Sequence, residues 1–273
     1  VSTTGILRLP RTEPSARVRR LSDSDVEPAA PPRAPGGAPL SVLLEKGTEQ
    51  TRQQAEHSLF LQTLFLDTWE GGVYGQFVRA QHYVSYLRQL HVLYSAFEGV
   101  LPRVVDTPMT PVLLLPELRR AAALEEDLDY FCGETRTGTF ACLETRLHGE
   151  HLREIAGEAP HLLVGHAYAR CMLDVFTAPA RARCVAEAFE LEDGRGTRFY
   201  DALTPLELAG FRVRLRSRID GLELDEDEAQ EVIQEACMAF RLHALVCAEL
   251  ARGAPGITTR AGAWAARVVN PPR

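Results

Sequence analysis

From Leu40 to about Gly253, apolar residues recur at intervals of three and four, and no alternating run bounded by turn residues interrupts them. That periodicity leaves helix as the only building element. The series Leu87, Leu90, His91, Tyr94, Phe97, Leu101 and the series Ile233, Cys237, Phe240, Leu242, Leu245, Leu250 each trace one helical face. The pattern predicts helices over 41–66, 74–101, 116–131, 138–156, 160–178, 181–190, 204–219 and 225–252, an all-α body. Roughly 210 such residues suffice for one core, and no internal linker divides them.

The two ends obey different rules. Seven of the seventeen prolines fall within residues 1–39, where a run from Pro28 to Pro39 can sustain neither helix nor sheet ladder. The chain is therefore read as an extended arm (1–39), a helical domain (40–252) and an irregular basic tail (253–273). The formal charge of −7 divides accordingly: the arm carries +2, residues 252–273 carry +4, and the body between them carries −13. An acidic body argues against nucleic acid as a partner, because phosphate contact needs clustered cations. No window is long and apolar enough to span a membrane.

An arm rich in Arg, Ser and Thr that starts at Val1 fits a processed targeting presequence. This leads to an organellar expectation, mitochondrion rather than plastid. In this reading arm and tail dock the domain onto other protein subunits, peripheral to a membrane complex. The six cysteines (Cys132, Cys142, Cys171, Cys184, Cys237, Cys247) form no C-x-x-C pair and read as free thiols among apolar neighbours.

Several segments, in order, resemble the haem oxygenase family. They are residues 43–56 (LLEKGTEQTRQQAE), 86–98 (YLRQLHVLYSAFE), 115–128 (LPELRRAAALEEDL), 162–170 (LLVGHAYAR), 215–222 (LRSRIDGL) and 232–240 (VIQEACMAF). The resemblance covers about 41–252 and implies that family's all-α fold, in which haem is opened to biliverdin with oxygen and a reductase. It also implies an axial imidazole on the first helix, where this chain has Arg52. A guanidinium has no lone pair and stays protonated, so Arg52 cannot ligate iron. Glu56 at i+4 and Glu49 at i−3 are its expected partners. His57, five residues on, points about 140° away.

In the distal helix the family's pattern places glycines around an aspartate. Here residues 171–179 read CMLDVFTAP, so Asp174 is kept while Leu173, Thr177 and Ala178 stand at glycine positions and Phe176 at a serine. Pro179 is expected to end that helix. Tyr168, Arg170, Arg216 and Phe240 match pocket positions, with Arg212 one turn before Arg216. The four arginines Arg212, Arg214, Arg216 and Arg218 read either as a clamp for an anionic ligand or as a solvated face paired with the acidic body.

Residues elsewhere are read as structural. His148 and His151, at i, i+3 near Glu144 and Glu150, are taken as solvated, and His166 and His243 as core histidines bonded to backbone carbonyls. A carboxylate-bridged metal set drawn from Glu56, Glu98, Asp127, His166 and Asp174 lacks the paired E-x-x-H spacing. The expectation is a non-catalytic member of this fold, a pseudoenzyme serving as accessory subunit, with neither cofactor nor metal. Its alternatives are a tetrapyrrole-binding protein without oxygenase activity and an active haem oxygenase.

Overall fold

A computed structural model of the chain describes residues 37–65, 72–133, 141–201 and 203–253. The expectations for the arm and tail therefore lie, apart from 37–39 and Gly253, outside the described residues. Those residues are mostly helical, and they contain no strand.

The first predicted helix is in fact two. Helix α1 (Leu40–Glu56) stops at His57, and α2 (Leu59–Phe65) starts two residues later. The break separates two buried faces. Leu44 and Ala55 of α1 pack into one apolar cluster, whereas Phe60, Leu61 and Leu64 of α2 pack into a second. Helix α3 (Gly72–Val100) is long enough to serve both: Tyr83, Tyr86, Leu87 and Leu90 enter the second cluster, and Leu93, Phe97 and Val100 the first.

The short α4 (Thr110–Leu113) and α5 (Ala121–Cys132) follow, then α6 (Leu143–Glu158), α7 (Leu163–Arg170), α8 (Ala178–Phe189), α9 (Pro205–Asp220) and α10 (Glu226–Gly253). Carboxylates satisfy the amides that helix starts leave unpaired. Ser41 N and Oγ donate to Asp220 at 2.8 and 2.9 Å, joining α1 to the end of α9. Glu98 of α3 accepts from the amides of Arg120 and Ala121, both at 2.7 Å, at the start of α5. Thr204 and Glu207 close a capping box on α9.

Two close approaches set where the site lies. A Cβ on Gly165 would come within 2.7 Å of the Ala236 amide and 2.9 Å of the Val232 carbonyl, so α7 rests on the backbone of α10. A Cβ on Gly47 would meet Ile233 Cγ2 at 2.6 Å, which holds α1 to the same helix. Helix α10 is thus the platform on which both sides of the candidate site stand. Pro179 does not end a helix as expected; it sits in the first turn of α8, where its missing N–H costs nothing.

Candidate functional site

The distal segment is built by a change of helical pitch. At Cys171 the α7 helix widens into one π-turn, Cys171–Val175, and this inserted residue re-aims Asp174 into the interior. Asp174 Oδ2 accepts from Tyr94 Oη at 2.9 Å and from Arg170 Nη1 at 3.1 Å. Its Oδ1 faces Arg181 Nη1 at 3.6 Å and accepts no hydrogen bond from the protein; Arg170 Nη2 likewise has no acceptor. Burial, then the neighbouring Asp174 charge, pushes the Tyr94 hydroxyl well above its ordinary pKa, so it stays a donor. Tyr94 and Arg170 also line a cavity of about 10 Å³ with Phe97, His148 and His166, room for about one water.

The bend therefore needs no glycine. Leu173 lies fully buried in the main core, not in open space beside the site, and its carbonyl accepts from Thr177 Oγ1 at 2.5 Å. Side chains at the glycine positions are absorbed by the π-turn and by the new helix start at Ala178.

Across from this segment, α1 and α9 complete a cleft of about 90 Å³ lined by Ser41, Glu45, Arg52, Tyr168, Met172, Phe176, Arg212, Leu215, Arg216 and Ile219. Arg52 lines it and pairs with Glu56 at 3.1 Å, as the i+4 spacing predicts; Glu49 instead accepts from Gln53. Arg216 pairs with Glu45 at 2.6 Å, and Arg212 stacks on the Phe176 ring at 4.2 Å, with Phe211 behind it. Arg214 reaches Glu117 at 2.8 Å and Arg218 the Pro111 carbonyl at 2.9 Å. The arginine row thus does both jobs: Arg212 and Arg216 face the cleft, while Arg214 and Arg218 bind neighbouring elements. Phe240 is buried beneath Tyr168, ring centroids 6.4 Å apart and nearly perpendicular.

Tetrapyrrole-sized ligands occupy roughly 300–1,000 Å³, so a flat macrocycle requires Phe176 and Arg212 to swing aside. Asp174 and Arg170, whose Oδ1 and Nη2 lack hydrogen-bond partners, are buried and are not among the residues lining the cleft. The α1 half does not repeat the imidazole that the resemblance implies. His57 supplies none either: it caps α1, its Nδ1 bonded to Gln53 O at 2.9 Å, away from the cleft.

Other sequence expectations change. His148 is buried rather than solvated, and His166 is bonded to side chains rather than to a carbonyl: His148 Nε2 lies 3.0 Å from His166 Nδ1, and Glu235 Oε1 lies 2.7 Å from His166 Nε2. His243 contacts Cys247 at 3.7 Å and the Tyr86 ring. The candidate carboxylate set is dispersed, with Glu98 at the α5 start and Asp127 accepting the Arg198 and Phe199 amides at 2.7 and 2.8 Å. Tyr94 and Glu235 were not legible as site residues because their partners are distant in the chain, and Arg181 because the break between Val175 and Ala178 separates it from Asp174.

The Heme oxygenase family profile matches residues 38–249. The chain belongs to the haem oxygenase family. A heme oxygenase of Rhodella violacea is 27% identical over 212 residues, covering 77% of this chain and 86% of that protein. Heme oxygenase 1 of Gallus gallus is 32% identical over 207 residues, covering 75% and 67%. The crystal structure of heme oxygenase-2 from Synechocystis in complex with heme and NO superposes with a TM-score of 0.71 at 26% identity, covering 79% of this chain and 86% of that one.

These matches overturn the expectation of a non-catalytic pseudoenzyme acting as an accessory subunit. They run through the whole helical body to proteins named for an enzymatic activity. The π-turn supplies the bend without glycine, and the Tyr94–Asp174–Arg170 arrangement is intact.

Proposed function

We propose that the chain is an oxygenase acting on an iron tetrapyrrole, taken up between α1, the distal segment and α9. The observation that carries this reading is Asp174, a buried carboxylate fixed through one oxygen by Tyr94 and Arg170, with its other oxygen free of hydrogen-bond donors. Such a carboxylate offers Oδ1 to a water while Oδ2 stays anchored, and a water held beside a reacting oxygen serves proton transfer. Relatives named heme oxygenase, one solved with heme bound, supply the substrate class.

Each side of the cleft has a task. Arg212 and Arg216 offer guanidinium groups to the anionic edge of the substrate, bidentate donors suited to carboxylates. Phe176 and Leu215 cover its apolar face and keep bulk water out. Arg52 contributes charge and no lone pair. The lone-pair donors lining the cleft include the Ser41 and Tyr168 hydroxyls, the Met172 thioether and the Glu45 carboxylate, which would face a bound iron tetrapyrrole.

The test is turnover of hemin by the full chain with a reductase, compared with Asp174→Asn. The wild type is expected to yield a ring-opened tetrapyrrole, and D174N to lower its formation at least about tenfold, a barrier increase of about 1.4 kcal/mol, with hemin affinity little changed. Hemin bound but left intact by the wild type would contradict the reading.

A further inference from the structure

On the far side of α7 from the cleft, three side chains from three helices converge. His151 of α6, His166 of α7 and Glu235 of α10 place one nitrogen or oxygen each within 4.8 Å of one another. His151 Nε2 and His166 Nε2 both approach the same carboxylate oxygen, Glu235 Oε1, at 2.6 and 2.7 Å. We propose that this triad is a binding site for a divalent first-row transition ion, with Zn²⁺ as the representative.

The donor set is two imidazoles and a carboxylate, the combination that leaves a further position open to water or ligand. His166 has a hydrogen-bond partner on its other nitrogen, and His151 has a carboxylate nearby but beyond hydrogen-bond distance. His148 Nε2 sits 3.0 Å from His166 Nδ1, and Glu154 lies 4.0 Å from His151 Nδ1. Outer partners of this kind fix the tautomer and aim the metal-binding nitrogen. Metal at Nε2 of His166 needs its proton on Nδ1, and His148 Nε2 is placed to accept that hydrogen bond with its own proton on Nδ1. Glu235 and Glu154 together would balance the charge of a divalent ion.

Access and spacing also fit. The His166 side chain is 2% exposed and Glu235 9%, whereas His151 is 27% exposed, so the ion enters from the His151 side. Ligand atoms around a tetrahedral ion stand about 3.3 Å apart. The two short contacts must widen by about 0.7 Å, and His151, on the open side, has room to move.

The site is separate from the cleft, and its inner ligand His166 also lines the small cavity beside Tyr94 and Arg170. Titration of the haem-free full chain with Zn²⁺ by calorimetry, and with Co²⁺ by absorption, tests it. One ion per chain is expected, with visible Co²⁺ bands and no thiolate charge-transfer band. His151→Ala, whose side chain is partly exposed and can be removed without opening the core, should weaken Zn²⁺ binding at least about tenfold. E235Q should do the same, and H161A, which removes a separate histidine paired with Glu231, should change nothing. Absence of binding, a thiolate signature, or binding unaltered by H151A would overturn the assignment.

Discussion

Arg52 carries the sharpest departure of this chain from what its family resemblance implies. Its guanidinium lines the cleft and is tied to Glu56, both side chains partly exposed, at 31% and 23%. Such a pair contributes about 0–1 kcal/mol. Arg52→His should therefore leave stability within about 1 kcal/mol while presenting an imidazole to the cleft. The expected result is a sharpened hemin Soret band and an affinity gain of about tenfold; an unchanged spectrum would mean that α1 does not face the substrate. The Arg52–Glu56 pair was legible in the sequence because both partners share one helix at i, i+4. The partners of Asp174 were only half legible: Arg170 sits at i−4, but Tyr94 is eighty residues away and no local pattern links them. The pairing of His148 with His166, and of both ligand histidines with Glu235, was hidden for the same reason.

Among elements, the π-turn and the α7–α10 contact matter most. Hydrophobic spacing predicted a helix over 160–178, and the chain is indeed helical there. Spacing alone cannot show a one-residue widening, because an inserted residue shifts the register without interrupting the apolar pattern. Gly165 was similarly silent until the helices were docked. Gly165→Ala would drive its Cβ into the α10 backbone and should destabilise the fold by about 1–3 kcal/mol, measured as a lower urea midpoint. An unchanged midpoint would mean that α7 and α10 can separate freely.

Asp127 gives α5 a pH dependence. Burial, opposed by the Phe199 and Arg198 amides, pushes its carboxyl up to about 6 from 3.8. A raised folded-state pKa stabilises most below the unfolded value and loses that contribution as pH rises through the folded one. The stability of wild type relative to Asp127→Asn should thus fall by about 2 kcal/mol between pH 4 and pH 7. Denaturant titrations at both pH values check this, and a constant difference would show that Asp127 ionises normally.

For the molecule as a whole, helical periodicity and the ordered segments from 43–56 to 232–240 made the fold legible. The function was misjudged because one substituted residue, Arg52, is visible in sequence while the buried network around Asp174 exists only after α3, α7 and α8 have packed. That packing, with α10 as platform, places a charged cleft on one side of α7 and the His151–His166–Glu235 triad on the other. The most direct test of the oxygenase reading is mass spectrometry of the tetrapyrrole recovered after incubating the full chain with hemin, a reductase and isotope-labelled dioxygen. The account predicts an opened tetrapyrrole carrying label from dioxygen. Recovery of intact hemin, or of an opened product whose oxygen comes only from water, would contradict it.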